Sequence, residues 1–488
     1  VIVHPRVYLE QLDPARVDDI HRTALGILDE AGLAISLPGA VEALADAGAR
    51  VDAGRVHLAP DFVERLLASA PRRFTLHART PDRSVEIGGP YLAVSPGYGS
   101  PSVADAQGRR RDGTLADFER FAALAGACDA VDVTGGVLVE PLDVPPALRP
   151  LEMTRSLIER SDKPFFGSVA GAAGARESLD LARIVFGAGS AIGCAGGRSI
   201  PDFGGRAVVM GLVNINSPLR LDDRMAEALL EYAGAGQAVL LTPGILMGVT
   251  APVTAAGALA QAAAELLGCA ALVQAVRPGT PVVIGTGGFG ADLRTGGPGF
   301  GRPENALGTV LGAQLARRIG LPFRCSGMVT GSRVPDNRSG YERMLTAIAA
   351  WTAGAHVCLQ GAGTLDSINS MSYEQFAIDA EIWTYLKRLA AWPRVDAGTL
   401  AADIVASLPV DYLGVEHTME HLAAEMAAVS LATPKSYDEW LAEGAPDVVT
   451  LSGRHLEKLE RAGGVQPLDD GVRLELDRYV RERRTALG

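Results

Sequence analysis

Apolar residues recur at helical spacing near the start of the chain. Ile20, Ala24, Ile27, Leu28 and Ala31 fall on one helical face, and Gly32 supplies a stop. Pro38, tolerated in a first helical turn, opens a second helix over 38–47 that Gly48 closes. A third is predicted over 60–70, and an extended segment follows over 74–77. The period then changes. Short apolar runs, each followed by a turn and a helical stretch, begin near Leu92, Val131, Pro164, Val208, Ala238, Pro281, Pro322 and His356. They read YLAVSPG, VDVTGGVLV, PFFGSV, VVMGLVNI, AVLLTPG, PVVIGTG, PFRCSG and HVCLQGAG. Their starts lie about 30 to 45 residues apart, the length of one strand–helix unit.

Eight such units predict an α/β protein built as a (β/α)8 TIM barrel, because right-handed crossovers can wind parallel strands into a ring. A doubly wound open sheet is the structural alternative. From about Arg394 the alternation ends, and helices are predicted over 417–428, 436–443, 454–462 and 474–484. The expected organisation is a helical extension over 1–90, the barrel over 91–393, and a helical cap over 394–488 packed on the barrel.

Composition narrows the function classes. Hydrophobic residues make up 48% of the chain but aromatics only 5%, and there are 57 glycines, so small aliphatic residues must build the core. That suits buried parallel strands packed closely on Ala-rich helices. A net charge of -12 argues against nucleic acid as a partner. Cys128, Cys194, Cys269, Cys325 and Cys358 lie far apart with no CxxC pair, which predicts buried free thiols. The opening VIVHPRVYLEQL lacks a basic segment followed by an apolar run. The most apolar stretch, 251–275, carries Gln261, Glu265 and Gln274 and reads as a core helix. A cytoplasmic protein with no membrane partner is expected.

In a barrel of this kind the chemistry lies in the loops after the strands. The loop over 285–303 stands out for its length and glycine content. Its opening GTGGFG matches GxGxxG, but no helix opens behind it, so a dinucleotide site is rejected and a lid over the site is expected. Of eight histidines only His417 and His421 share a helical face, and HTMEH lacks the glutamate that follows the first histidine of a zincin. No metal site is predicted. No GxSxG elbow, Walker loop or kinase signature is present, and no catalytic residue is assigned.

Several stretches taken together carry a resemblance. They are IHRTALGILDEAGLAI near the start, VNINSPL at 213–219, GVTAPVTAAGALAQAAAE at 248–265, ADLRTGGPGFGRPE at 291–304, PDNRSGYE at 335–342, VDYLGVEHTMEHL at 410–422 and SYDEW ending at Trp440. In this order they resemble the trimethylamine methyltransferase (MttB) family in its pyrrolysine-free branch, which includes glycine betaine:corrinoid methyltransferases. The resemblance implies a TIM barrel that moves a methyl group from a quaternary amine, glycine betaine or a related betaine, to the Co(I) corrinoid of a separate protein. The chain has no DxHxxG cobalamin-binding motif, so the corrinoid is expected on that partner and no cofactor on this chain.

Aromatic faces and polar loop residues are what such a substrate requires. The candidates for substrate binding are Tyr98, Asn214, Asn216, Met247, Phe289, Glu304, Asp336 and Gln360, with Phe300 a further aromatic in the lid. The residues alone leave open a barrel lyase or hydrolase of another class, or a non-catalytic binder of betaine-like ligands. Small apolar helix faces are compatible with a homo-oligomer.

Overall fold

The apolar runs become a curled eight-stranded sheet in the computed structural model. Its strands are β1 (Ile2–Val3), β2 (Tyr91–Val94), β3 (Phe165–Gly167), β4 (Val209–Ile215), β5 (Ala238–Pro243), β6 (Val282–Thr286), β7 (Phe323–Ser326) and β8 (Val357–Leu359). They lie in the order β1-β2-β8-β7-β6-β5-β4-β3. All pairs are parallel except β1 with β2. The structure describes residues 1–187, 189–195, 198–286, 288–426, 429, 431 and 435–487. The Cys194 side chain, Gly287 of the expected lid, and positions 427–428 of the predicted 417–428 helix lie outside the described residues.

Seven of the eight predicted runs are regular strands of this sheet. The run at Val131 is not, because Gly135 takes a positive φ of 102° that breaks extended backbone. Its amides nonetheless reach both flanks. Asp132 N and Val133 N donate to Val94 O, Thr134 N donates to Pro164 O, and Phe166 N donates to Gly135 O.

The two faces of the sheet bury different sets, as a period of two dictates. Ala93, Phe166, Met210, Leu212, Leu240, Val283, Val357 and Leu359 form an apolar cluster on the inner, concave face. Asn214, Thr242 and Gly285 follow on that same face, one step further along β4, β5 and β6. The outer face packs on helices. Asp223–Gly234, Ala255–Val276, Pro303–Ile319 and Asn337–Thr352 each follow a strand, and Tyr373–Ala390 follows β8. Ala255–Val276 is long and apolar enough to cross a bilayer by length and composition, but 83% of its most apolar window is buried in the fold. Its Glu265 is not stranded there: Ser217 Oγ (2.6 Å) and Leu219 N (2.9 Å) donate to it. Cys128, Cys269, Cys325 and Cys358 are buried free thiols.

Before the sheet, Pro14–Glu30 starts at Asp13, whose side chain accepts from Arg16 N, and it packs on Ala255–Val276. Pro38–Asp46 and Pro60–Leu67 follow. The pattern predicts no strand between the first and third of these helices, yet Leu33–Ile35, Arg50–Asp52 and Arg55–His57 join Arg220–Leu221 in a small second sheet. These strands are three residues or fewer, too short to show a period. After Tyr373–Ala390 come Glu416–Glu425, Tyr437–Ala442, Val448–Ala462 and Asp470–Leu487. Val448–Ala462 packs on Tyr373–Ala390 and Leu115–Ala127. Asp470–Leu487 is tied down by Arg483 on Glu177 and by Arg484 on Glu152.

Candidate active site

A cavity of about 390 Å³ opens where the strands end. Strand period places side chains of β4, β5 and β7 at its floor. Asn214 and Thr242 face each other across the β4–β5 register, and Arg324 sits on β7 opposite Gly285 of β6. Gly285 is what admits that side chain, since a Cβ there would lie 2.8 Å from Arg324 Cδ. Gln360, directly after β8, completes the floor. Tyr98 and Phe300 form aromatic walls, with Leu246, Ile245 and Leu359 among the aliphatic ones. A second cavity of about 380 Å³ lies alongside and shares Tyr98, Gly99 and Asn214 with the first.

The electrostatics centre on Arg324. Its side chain is buried, and its polar contacts are all neutral: Nη1 donates to Thr242 Oγ1 (3.1 Å) and Thr286 O (3.3 Å), and Nη2 donates to Gln360 Oε1 (2.7 Å). Among the described residues Nε has no partner and no carboxylate pairs with the group. Burial therefore pulls the guanidinium down to about 10. Arg343, also fully buried, behaves as such residues normally do and donates to Asp379 at 2.8 Å. An unanswered buried cation lining a cavity is a site for an anionic group.

Tyr98 presents a second unanswered group. Its buried hydroxyl has no partner among the described residues, its ring meets Phe166 edge-on at 6.1 Å, and burial pushes the phenol well above its usual range. Phe300 reaches the cavity from the 285–303 loop. That loop is a small hairpin, with Ala291–Asp292 paired to Gly297–Pro298. Asn305 clamps it from the helix behind, accepting from Phe289 N (2.8 Å) and Gly290 N (3.0 Å) and donating to Gly299 O (2.8 Å). Gly288, Pro298 and Phe300 are thereby held on the cavity.

Of the eight candidate residues, the cavity brings together Tyr98, Asn214 and Gln360. The other five lie outside its lining. Asn216 exchanges backbone hydrogen bonds with Arg220 around the cis Ser217–Pro218 bond. Phe289 is buried against Gly308, where a Cβ would lie 2.6 Å from its ring, so it anchors the hairpin from behind. Met247 packs on the core, and its amide donates to Phe289 O. Glu304 is paired with Arg302, which holds its carboxyl below the usual range. Asp336 caps Asn337–Thr352 by accepting from Ser339 N at 2.7 Å.

Sequence reasoning did not single out Arg324 or Thr242. The signal for Arg324 was present: one charged residue inside the otherwise uncharged strand PFRCSG, with the small Gly285 opposite. Among the described residues no group of three or more His, Cys, Asp or Glu is placed to hold a metal ion.

The whole chain, residues 1–488, matches the family described as trimethylamine methyltransferase (MTTB). It is 36% identical to a glycine betaine methyltransferase of Desulfitobacterium hafniense (strain Y51), over 97% of each chain. It is 27% identical to a trimethylamine methyltransferase MttB of Desulfitobacterium hafniense (strain DSM 10664 / DCB-2), covering 96% of this chain and 93% of the other. A proline betaine:corrinoid methyltransferase of Eubacterium limosum is 26% identical over 79% of each chain. The chain belongs to the trimethylamine methyltransferase family.

Proposed function

We propose that this protein transfers a methyl group from a betaine, with glycine betaine the leading donor, to the reduced corrinoid of a separate protein. The observation that carries the choice of donor is Arg324, a buried guanidinium in the cavity lining that no carboxylate among the described residues answers. A betaine brings its own carboxylate to that guanidinium and a trimethylammonium group for the aromatic walls of Tyr98 and Phe300. Trimethylamine offers no anion, and binding it would leave the cation unpaired.

The chemistry asks little of the chain beyond placement. The C–N bond breaks with its electron pair passing to nitrogen, and the tertiary amine leaves as the methyl group joins the acceptor. Co(I) supplies the nucleophile, so no acid or base on this chain is required at the nitrogen, and the lining residues include no carboxylate or histidine. What the chain contributes is orientation and exclusion of water. Gln360 and Thr242 hold the guanidinium, and the guanidinium holds the donor. The adjoining cavity past Tyr98, Gly99 and Asn214 is the space through which the acceptor approaches. Within this reading the sheet closes as a (β/α)8 barrel with the 131–135 segment as its missing stave, the 91–393 segment is that barrel, and 1–90 and 394–488 are its extension and cap. The chain works in the cytoplasm.

The test is turnover. Purified protein, a reduced corrinoid protein and glycine betaine are followed by proton NMR, and the proposal expects dimethylglycine to form in amounts equal to the acceptor supplied. Absence of dimethylglycine with a competent acceptor rejects it. A non-catalytic binder would hold glycine betaine and give no product; a lyase or hydrolase would release fragments without any acceptor.

A further inference from the structure

Backbone strain is concentrated at one edge of the cavity. Asp366, Ser367 and Ile368 take φ of 50°, 55° and 72°, three consecutive residues in the left-handed region. Glycine adopts this conformation freely, and a β-branched side chain resists it most. The chain has 57 glycines and places none of them here. Strain of this kind persists only where the surrounding structure imposes it, and it gathers at ligand clamps.

The imposing structure is explicit. Residues 366–369 join Thr364–Leu365 to Ser370–Met371, an antiparallel pair that also lies against Ser102–Ala104. Asp366 N donates to Ser332 O (2.7 Å) and Ser367 N to Thr330 O (2.9 Å). Ser100 Oγ donates to Ile368 O (2.7 Å). The Asp366 carboxylate is paired with Arg110 (3.0 Å) and Arg333 (3.1 Å). Asp366 thus has a polar task that glycine could not perform. The Ile368 side chain has no such task. Among the described residues it joins neither apolar core cluster, and what it lines is the cavity.

The same anchors say which walls Ile368 accompanies. Ser100 lies two residues past Tyr98, in the same loop. Thr330 packs beside the hairpin that carries Phe300, since a Cβ on Gly301 would lie 3.1 Å from Thr330 Cα. Ile368 is therefore tied to the loops of both aromatic walls.

We propose that Ile368 is a specificity-determining residue, an aliphatic wall that limits the spectator substituents on the donor nitrogen to methyl groups. The inference rests on the betaine reading above. With the donor carboxylate on Arg324, one N-methyl group faces the acceptor and the other two meet Tyr98, Phe300 and Ile368. An isoleucine side chain offers neither charge nor hydrogen bond, so it selects by volume alone. A betaine with an N-ethyl group, or with its nitrogen in a ring, needs room where that side chain stands.

Equal concentrations of glycine betaine and N-ethyl-N,N-dimethylglycine, offered with a reduced corrinoid protein, test this. Each donor loses one methyl group, and NMR resolves dimethylglycine from N-ethyl-N-methylglycine. The wild type is expected to favour glycine betaine by about tenfold or more, the discrimination one extra carbon gives in a fitted apolar pocket. Ile368→Ala is expected to lower that ratio by about tenfold. Ile368→Gly is expected to lower it at least as far with no fall in melting temperature, because glycine relieves the left-handed backbone. A residue kept for packing would melt lower on truncation and slow both donors together, leaving the ratio unchanged. That result overturns the proposal, and so does a wild type that demethylates both donors equally. A wild type inactive on both rejects the proposed function itself, and this inference with it.

Discussion

Arg324 Nη2 donates to Gln360 Oε1 at 2.7 Å, and this neutral amide is the strongest answer the guanidinium receives from the chain. A buried charge with neutral partners is costly unless something else pairs with it. Replacing Arg324 therefore moves function and stability in opposite directions. Arg324→Gln should weaken glycine betaine binding by about 3 to 5 kcal/mol, the usual penalty for breaking a buried pair, which is on the order of 10² to 10³-fold or more in affinity. Arg324→Met, which removes the cation altogether, should raise the melting temperature of the donor-free protein. Calorimetric titration and a thermal melt on the same samples check both.

Binding should also follow the charge of that group. Burial has pulled Arg324 down to about 10, so it is protonated throughout the neutral range and loses its proton as pH climbs past 10. The donor carboxylate, ordinarily ionised above about pH 4, does not change over the same interval. Affinity for glycine betaine should be flat between about pH 6 and 9 and fall above 10. A titration series in matched ionic strength reads this, and a mid-point near 7 would point to some other group.

Tyr98 separates ring from hydroxyl. Its phenol oxygen has no partner among the described residues, whereas its ring lines both cavities. Tyr98→Phe should leave KM for the donor within about threefold, because the cation–π face survives. Tyr98→Ala should raise KM by about 10- to 100-fold, combining lost ring and lost packing. Steady-state kinetics on the pair distinguishes a wall for the ammonium from a hydrogen-bonding role, which would make Tyr98→Phe as damaging as Tyr98→Ala.

Asn305 acts on the site through the hairpin. Its three hydrogen bonds to Phe289 N, Gly290 N and Gly299 O hold Phe300 on the cavity. Asn305→Ala leaves two buried amides unanswered, a cost of about 1 to 3 kcal/mol for each. The expected result is a raised donor KM and faster hydrogen exchange over 289–300, with Pro303–Ile319 still protected. Unchanged exchange in the hairpin would show that the clamp does not set its position.

The strands were legible because each is a short apolar run between turn residues, and seven of eight runs lie where the pattern put them. Val131 shows the limit: hydrogen bonds join that run to both neighbours, but Gly135 denies it regular geometry. The site was legible only by loop. Tyr98 and Gln360 follow from their place just past strand ends, and Asn214 from its place next to last in β4. Phe289, Met247 and Asp336 belong to those loops too, but packing or capping turns them away, and one-dimensional spacing does not encode that choice. Arg324 was missed because a charge inside a strand reads as a break in pattern until the register sets it opposite Gly285.

The central claim is that the chain demethylates a donor chosen by its carboxylate. Equal concentrations of glycine betaine and choline, which share the trimethylammonium group, can be offered together with a reduced corrinoid protein and the products resolved by NMR. The account predicts dimethylglycine alone. Dimethylethanolamine in comparable yield would contradict it.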